Sequence, residues 1–367
     1  MPMLERFKVP LKDQVRVPES SLRTTVTAIF QKMGVPREDA ALAADVLVVT
    51  DLRGVETHGV SNVLRVYVKG YNDGLLNPRP KWKVLRETPS TATIDCDRGL
   101  GIIQAPKAMR MAIDKARKVG VGVVVMNNGG HLGACGYHAM LAAQEGMVGM
   151  CATTGGLALV PTWGAEPRLG INAMAIAAPA KSEPYFLFDA ATTTIAGNKV
   201  QLAKRVGAKL HPGWIADENG IPIMKEVDPP DRGRLFLLPL GSTREMGSHK
   251  GYGLAMMVEV WTTLLSGALP WVLEPGAGSK HFLAAYNISA FVDLEQFKEN
   301  MDRTLRMLRE TKPAPGHDRV VYPGLLEHEE MQERKAHGIP LHKEVVQWFD
   351  GICEELSVPR LERRPAT

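Results

Sequence analysis

The chain of 367 residues is long enough for two domains, and its net charge of +4 is small because Lys and Arg are scattered among Asp and Glu. Hydrophobic residues make up 45% and charged residues 23%, which is typical of a globular protein and not of a nucleic-acid-binding or membrane-spanning chain. Four distant Cys without a C-x-x-C pair, and no signal-peptide pattern over residues 1–10, predict a cytoplasmic protein with no metal site and no disulfide framework.

The first 75 residues are predicted to be helical. Ser20 and Ser21 are suited to cap a helix over residues 22–33, and Pro36 precedes a second helix over residues 37–52. A third helix is predicted over residues 60–72, stopped by Gly74.

A Gly-rich α/β core is predicted to follow. Strands and helices alternate too unevenly for a simple doubly wound sheet, so a mixed sheet is expected. The last residues return to helices, and we expect the helical N- and C-terminal segments to pack together. Strands are predicted over residues 81–86, 91–96, 120–126, 147–154, 173–180, 185–189 and 281–292, and helices over residues 103–119, 132–144, 251–265, 295–308, 326–336 and 341–356.

Two segments are suited to hold anions, although the usual nucleotide fingerprints and the G-x-S-x-G nucleophile elbow are absent from the sequence. Residues 189–194 carry a carboxylate and small hydroxyl residues after an apolar run. Residues 247–253 place a His, a Lys and three Gly at a helix start, where backbone N–H groups and the helix dipole favour phosphate. Two such segments predict a dinucleotide. The alternative for Asp189 is a helix N-cap, whereas Lys250 at a helix start opposes the dipole unless an anion binds there.

A second candidate site is the segment around His58. If a helix begins here, Ser61, Asn62 and Arg65 share a face with His58, which combines a proton donor, hydrogen-bonding groups and a cation. An enzyme of small keto or hydroxy acids needs this set. The alternative is a capped surface helix.

A third candidate is the Gly-rich segment 127–138, which follows a predicted buried strand. Gly130, Gly133 and Gly136 recur every three residues, so the backbone has room to approach a flat ligand. His131 and His138 are seven residues apart, which suits one helix face but not a metal site. The alternative is a Gly-rich turn without a ligand.

Taken together, these segments resemble the second type of malate/L-lactate dehydrogenase family, which is distinct from the Rossmann-fold enzymes. Its relatives include sulfolactate, ureidoglycolate and diketogulonate oxidoreductases and reductases of cyclic imino acids. The resemblance spans about 300 residues. It rests on Arg53-Gly54 with Thr57-His58-Gly59-Val60, on residues 127–137, on Trp163-Gly164 with residues 169–172, on residues 189–193, on residues 249–254, and on Tyr322-Pro323-Gly324 with residues 338–341.

The resemblance implies an α/β, non-Rossmann fold with a nicotinamide-binding domain over residues 81–310. Helical segments 1–80 and 311–367 would pack together, and a homodimer would place the active site near the subunit boundary. It implies hydride transfer to a keto or imino acid with NAD or NADP. His58 and Asp189 would be catalytic, Asp189 supporting His58. The implied substrate-binding residues are Arg65, Asn62, Arg53, Thr57 and His131, and the implied cofactor-binding residues are His131, Asn172, Asp189, Ala191, Thr192, Thr193, His249, Lys250, Gly251, Pro323 and Gly324.

The chain departs from the family pattern near the expected substrate. Asn62 stands where many relatives have Arg, so Arg65 or Arg53 would have to bind the substrate carboxylate. Asn198 replaces a common Gly, and Ile171 and Ala173 replace the usual Thr and Pro. A substrate other than malate or lactate is therefore expected. Reduction of a cyclic imino acid, or a catalytically silent nucleotide-binding protein, are the alternatives.

Overall fold

A seven-stranded sheet forms the centre of the structure, a computed structural model that describes residues 5–230, 236–276 and 278–364. Its strand order is β2-β3-β4-β8-β5-β6-β7, and the β3–β4 pair is parallel while the other pairs are antiparallel. A separate two-stranded sheet pairs β1 with β9. The strands are β1 (Gln14–Val17), β2 (Lys83–Glu87), β3 (Thr91–Asp95), β4 (Val121–Gly129), β5 (Met147–Thr154), β6 (Ala173–Ala178), β7 (Phe186–Ala190), β8 (Ser279–Asn287) and β9 (Ile339–His342).

Helices pack on both faces of the large sheet, and further helices lie near both ends of the described chain. Within the described ranges, none of them has both the length and the hydrophobicity needed to cross a bilayer. The helices are α1 (Glu19–Lys32), α2 (Arg37–Leu52), α3 (Val60–Asn72), α4 (Gly101–Val119), α5 (Cys135–Gln144), α6 (Gly197–Val206), α7 (Ser248–Glu259, continued by a π-helical turn over Val260–Leu264), α8 (Leu294–Arg309), α9 (Leu325–His337) and α10 (Lys343–Leu356).

Helices α4 and α5 pack on one face of the large sheet because two strand glycines allow a close approach. A Cβ at Gly122 would lie 1.9 Å from Ala112 O, and one at Gly149 would lie 2.1 Å from Ala139 O. Any larger residue at either position would push a helix away from the sheet. The core on this face includes Ile94, Met109, Ile113, Val124 and Leu283.

The opposite sheet face is only partly covered. Helix α7 packs there through Val258, and Trp261 stacks on Phe282 with ring centroids 5.6 Å apart. The cross-strand partners Ile176 and Phe188 stay exposed, at 37% and 39% of their surface. We refer to this exposed pair as the open apolar face.

The two ends of the chain share one core, as expected from the sequence. Strand β1 pairs with β9, and α1, α2, α3 and α10 bury large side chains together, among them Phe30, Leu47 and Phe349. Mixed sheet, helical covering and joined termini confirm the predicted α/β fold. The domain boundaries at residues 80 and 310 stay a prediction.

Several element predictions were wrong in detail, each for a local reason. The helix expected from residue 132 begins at Cys135, because Gly133 has a φ of +75° that no helix accommodates. The strand expected over 281–292 ends at Asn287, whose side chain caps a short 3-10 turn by accepting from Ser289 N. Helix α1 begins at Glu19 after Pro18, so Ser20 and Ser21 lie inside it.

Candidate active site

The predicted site segments meet at one edge of the large sheet. Because neighbouring strands alternate in direction, the carboxyl ends of β4, β5 and β7 share this edge with the starts of β6 and β8. His131 follows β4, Asn172 precedes β6 and Asp189 lies near the end of β7. Ligands of α/β proteins commonly bind at the carboxyl ends of strands.

The turn between α2 and α3, residues 53–59, is held by a buried carboxylate. Val60 N donates a 2.8 Å hydrogen bond to Asp51 Oδ2, so Asp51 caps α3 from nine residues upstream. Burial raises the pKa of Asp51 to about 7, and the Val60 hydrogen bond opposes that shift. Gly59 is required by this arrangement, because a Cβ there would lie 1.8 Å from Asp51 Oδ1. We call residues 53–59 the His58 turn.

A buried ion pair ties the His58 turn to the C-terminal helix α9. Arg334 donates to Asp51 O and to Glu56 Oε1, each at 2.8 Å, and both partners of the Arg334–Glu56 pair are nearly fully buried. Glu330 accepts from the remaining Nε at 2.7 Å. Desolvation raises the pKa of Glu56, and the Arg334 charge opposes it. Loss of either partner would leave a buried charge uncompensated.

His58 and His131 face each other at the sheet edge. Their rings lie 5.7 Å apart and are nearly parallel, at 13°. Thr57 Oγ1 lies 2.9 Å from His58 Nδ1, while His58 Nε2 has no hydrogen bond to any described residue. Burial of the ring lowers the pKa of His58 to about 4, so the imidazole is neutral at neutral pH.

The hydrogen bonds of His131 determine its tautomer. Gly133 N donates to His131 Nδ1 at 3.3 Å, and Tyr67 Oη lies 2.6 Å from the same atom. Since a backbone N–H can only donate, Nδ1 is an acceptor and the proton is on Nε2. His131 therefore carries an N–H donor on an exposed ring next to His58.

His138 does not share a helix face with His131, which corrects the expectation from their spacing. His131 precedes α5, because Gly133 delays the helix start, whereas His138 lies inside the helix. The ring of His138 is fully buried, and its Nε2 pairs with Leu132 O at 2.8 Å. It has a structural role between the turn and the helix.

Asp189 lies within β7 and therefore does not cap a helix that follows it. Its Oδ2 accepts from Gly136 N in the first turn of α5 at 2.6 Å, whereas the hydrogen bond of His58 is with Thr57. Part of the Asp189 side chain is exposed, but desolvation by the surrounding protein atoms raises the pKa of its carboxyl to about 6. The Gly136 hydrogen bond and the Arg53 charge oppose this shift. Direct support of His58 by Asp189 stays a prediction.

Arg65 and Asn62 engage protein groups. Arg65 Nη1 lies 2.5 Å from Glu344 Oε1, and its guanidinium lies 5.2 Å from the Trp348 ring. Asn62 Nδ2 donates to Glu56 O at 2.7 Å. The Arg53 guanidinium, by contrast, has no hydrogen bond or ion pair with a described residue, and the side chain is partly buried near Asp189 and Glu327. The substrate-binding roles of all three residues stay predictions.

Helix α6 brings residues to this site that the sequence analysis did not predict. Asn198 donates to Thr57 O at 2.8 Å, and Arg205 donates to Asn62 Oδ1 at 3.1 Å and to Ser61 O at 2.9 Å. Lys199 is partly buried beside them. The signal for this helix was present: Lys204 and Arg205 in the last turn precede a left-handed Gly207.

The start of α7 forms a second part of the site. His249 and Lys250 are exposed there, and a Cβ at Gly251 would lie 2.4 Å from Leu240 N, so the helix start packs tightly against a turn. A cavity of about 340 Å³ opens beside it, within the size range of ligand pockets. Its lining includes Thr162, Trp163, Leu238, Arg244 and Ser248.

The segment after Asp189 connects the two parts. Thr192 donates from its N and Oγ1 to Ile171 O, and its carbonyl accepts from Leu240 N at 2.9 Å. The Thr193 hydroxyl donates to Ile195 O. Both hydroxyls are therefore used inside the protein, and Ala191 beside them is half-buried.

Asn172 and the Pro323-Gly324 segment flank the sheet edge. Asn172 Nδ2 donates to Ala255 O and to Glu259 Oε2, whereas its buried Oδ1 has no partner among the described residues. Pro323 O accepts from Leu187 N at 3.1 Å, and Gly324 has a φ of +100° next to Tyr185 O. The C-terminal landmark thus lies against β7, just before Asp189.

Comparison with known proteins gives consistent matches over nearly the whole chain. The family described as malate/L-lactate dehydrogenase matches residues 17–350. The malate dehydrogenase of Pyrococcus abyssi is 38% identical over 358 residues, 96% of this chain and 98% of that protein. A solved malate dehydrogenase from Entamoeba histolytica superposes with a TM-score of 0.90 at 34% identity, covering 94% of this chain and 99% of that one. The delta1-piperideine-2-carboxylate reductase from Pseudomonas syringae pvar. tomato has a TM-score of 0.76 at 25% identity, covering 92% and 99%.

Proposed function

We propose, from the premise that this chain belongs to the malate/L-lactate dehydrogenase family, that it transfers a hydride between NAD or NADP and a small 2-oxo or 2-hydroxy acid. His58 is the proton donor and acceptor of this reaction. The observation that carries the proposal is the arrangement of His58, held at Nδ1 by Thr57 and stacked beside His131 at the ligand edge of the sheet.

The neutral state of His58 suits proton abstraction in the oxidation direction. Its lowered pKa keeps the ring neutral, so Nε2 accepts the hydroxyl proton when a hydroxy acid is oxidised. In reduction the ring must first take up a proton at Nε2, which then passes to the oxygen that becomes the hydroxyl; the lowered pKa makes this direction more demanding at neutral pH. A nicotinamide, when bound, supplies or takes the hydride. His131 Nε2–H donates to the substrate oxygen and orients it beside His58.

The substrate carboxylate needs a cation close to this pair. Arg53 lies at the start of the His58 turn, and its guanidinium lacks a hydrogen-bond acceptor among the described residues. A guanidinium binds a carboxylate with two parallel hydrogen bonds, which also fixes its orientation. Arg53 therefore takes the carboxylate next to the reacting carbon, while Thr57 and Asn62 line the pocket.

The residues around α7 fit a dinucleotide. The exposed His249 and Lys250 and the tightly packed Gly251 place charge and backbone N–H groups at a helix start, which suits phosphate. Asn172 Oδ1 is a buried acceptor without a partner among the described residues and lies next to Gly170. Residues 189–193 and the Pro323-Gly324 segment, whose Pro323 O accepts from Leu187 N, complete the proposed cofactor site.

The protein is proposed to be a homodimer. Exposed apolar patches on a globular protein indicate an interface, and the open apolar face (Ile176 and Phe188) is such a patch on the sheet that carries the site. We propose that a second copy covers this face. Light scattering coupled to gel filtration measures the state directly, and a mass of about 40.1 kDa would contradict the proposal.

The central experiment combines binding and turnover. Thermal shift with NADH and NADPH reports cofactor choice, and cofactor oxidation with a panel of 2-oxo acids reports activity. His58→Ala is expected to lower kcat by ~10²–10⁴-fold because general acid–base assistance is lost. The cofactor Kd should stay unchanged. A thermal shift without turnover would identify a silent binder, and near-wild-type turnover of His58→Ala would remove His58 from the mechanism.

Reduction of a cyclic imino acid is the second candidate. It is favoured by the similarity to the delta1-piperideine-2-carboxylate reductase over 92% of this chain. His58 serves here as well, because imine reduction also needs one proton beside the hydride. Including Δ1-piperideine-2-carboxylate in the panel decides between the two, since the better substrate will show the higher kcat/KM.

A further inference from the structure

Two buried histidines hold the turn that carries His131. His281 Nε2, on β8, lies 3.0 Å from Gly130 O, and His138 Nε2, on α5, lies 2.8 Å from Leu132 O. Gly130 and Leu132 are the residues directly before and after His131. We call His138 and His281 the histidine clamp, because their rings contact the backbone on both sides of His131.

The direction of both hydrogen bonds follows from their partners. A carbonyl oxygen can only accept, so each ring carries a proton on Nε2 and donates to the turn. Burial lowers the pKa of His138 to about 4 and that of His281 to about 3, so both rings are neutral at neutral pH and each has one N–H donor. His138 Nδ1 is buried without a partner among the described residues, which leaves the bond to Leu132 O as the one hydrogen bond of this ring within the described ranges.

The large sheet fixes the ring of His281. Thr153 of β5 is the direct cross-strand partner of His281, and its hydroxyl lies 2.8 Å from His281 Nδ1. Since Nε2 carries the proton, Nδ1 accepts from this hydroxyl. Gly129 at the end of β4 leaves room for the ring, because a Cβ there would lie 3.2 Å from His281 Nε2. Three neighbouring strands thus direct the N–H of His281 at Gly130 O.

The ring of His131 is held separately from its backbone. Its Nδ1 accepts from Gly133 N and lies 2.6 Å from Tyr67 Oη, and these contacts keep the proton on Nε2. The clamp therefore determines where the backbone of His131 lies, and the Nδ1 contacts determine which nitrogen is protonated. A hydrogen-bond donor contributes most to catalysis when it is in place before the reaction begins.

We propose that His138 and His281 are positioning residues, which hold the backbone on both sides of His131 so that its Nε2–H is directed at the substrate oxygen. This rests on the proposed function, in which His131 orients that oxygen beside His58. Neither residue of the clamp contacts the substrate. Their loss should therefore lower kcat through His131 and leave cofactor binding at the start of α7 intact.

The first test removes the N–H of His281 and keeps the bulk of its ring. His281→Phe should lower kcat about 10²-fold in cofactor oxidation with the best 2-oxo acid, because a shift of about 1 Å in a reacting group costs that much. The cofactor Kd should be unchanged. His281→Gln places an amide N–H near the same position and should restore most of kcat. A loss of cofactor affinity equal to the loss of kcat, or no recovery in His281→Gln, would overturn the proposal.

Two neighbouring hydroxyls of β5 give a matched pair of variants. Thr153→Val removes the hydroxyl that holds His281 Nδ1. Thr154→Val removes the next hydroxyl, which points to the opposite face of the sheet and lies 3.1 Å from Thr263 Oγ1. We expect kcat to fall in Thr153→Val, by a smaller factor than in His281→Phe, and to stay at the wild-type level in Thr154→Val. Equal kcat values in the two threonine variants would contradict the clamp.

Combination with His131→Ala shows whether the clamp acts through His131. In that background His281→Phe should lower kcat much less than it does in the wild type, because no imidazole is left to position. Equal losses in both backgrounds would show a general structural role and overturn the proposal. His138→Phe is measured in the same two backgrounds, so the comparison does not depend on the folding of one variant. Wild-type kcat in His131→Ala would instead refute the proposed function of His131, so the two failures are distinguishable.

Discussion

Gly59→Ala is the sharpest test of how the His58 turn is built. The new Cβ would lie 1.8 Å from Asp51 Oδ1 and 2.3 Å from its Cγ, far inside any real contact. Asp51 is fully buried, so the carboxyl has little room to move, and any movement breaks the 2.8 Å bond that caps α3 at Val60. The substitution thus removes a cap and overpacks a buried site at once.

The size of the effect follows from these two losses. A lost cap costs about 1 kcal/mol, and overpacking costs about 1–3 kcal/mol. The total of roughly 2–4 kcal/mol corresponds to a decrease in Tm of about 3–5 °C for a chain of this length. Activity should suffer more, because a shift of about 1 Å in a reacting group costs about 10²-fold. We therefore expect a kcat loss of that order with a modest loss of stability.

The assay pairs Tm by calorimetry with kcat at saturating cofactor and substrate. Gly351→Ala is the matched control, since a Cβ there meets nothing within 4 Å on an exposed helix position. Gly59→Ala should also cost much less in an Asp51→Ala background, because the three atoms nearest to the new Cβ all belong to the Asp51 carboxyl. Unchanged kcat and Tm in Gly59→Ala, or an equal cost in both backgrounds, would refute this account of the turn.

Two further predictions concern the cofactor and pH. Lys250 is exposed at the α7 start, so Lys250→Ala should weaken NAD(P)H binding about 10- to 100-fold, while kcat at saturating cofactor changes little. Fluorescence titration measures the cofactor Kd. An unchanged Kd would show that Lys250 does not bind the phosphate. In the oxidation direction, kcat/KM requires neutral His58. Because burial lowers that pKa to about 4, activity should persist below pH 6.5 and fall only as pH approaches 4. A decrease in kcat/KM that has its midpoint near pH 6.5 and depends on His58 would show that the His58 ring is not desolvated.

The elements with strong local signals were predicted closely. Helices α2 and α3 have the predicted bounds, because Pro36, Gly59 and Gly74 mark their ends within a few residues. Strand β5 is also as predicted, since its apolar run is uninterrupted. In these elements the local sequence and the tertiary contacts favour the same structure, so the sequence alone is sufficient to predict their bounds.

Elements that depend on distant partners were not predicted. Strands β1 and β9 have four residues each and pair Gln14 with His342 across almost the whole chain, so neither carries a recognisable pattern. The same holds for the contacts of candidate residues. Arg65 has the predicted position on α3, but its partner Glu344 is 279 residues away, and no spacing rule indicates that pair.

The position of His58 therefore depends on contacts from both halves of the chain. Locally, Asp51 caps α3 and Thr57 holds the imidazole. From α9, Arg334 fixes the Asp51 carbonyl and Glu56, and from α6, Asn198 fixes the Thr57 carbonyl.

The joined ends of the chain, which cover a core, thus also hold the His58 turn, where we propose that proton transfer occurs. Helix α6 follows directly on residues 189–195, the segment that connects His58 to the cavity beside α7. One short helix therefore links this segment to the Thr57 carbonyl, through the Asn198–Thr57 hydrogen bond. The same helix carries Arg205 to Asn62. The ten-residue helix α6 therefore contacts both the His58 turn, through Asn198, and the start of α3, through Arg205.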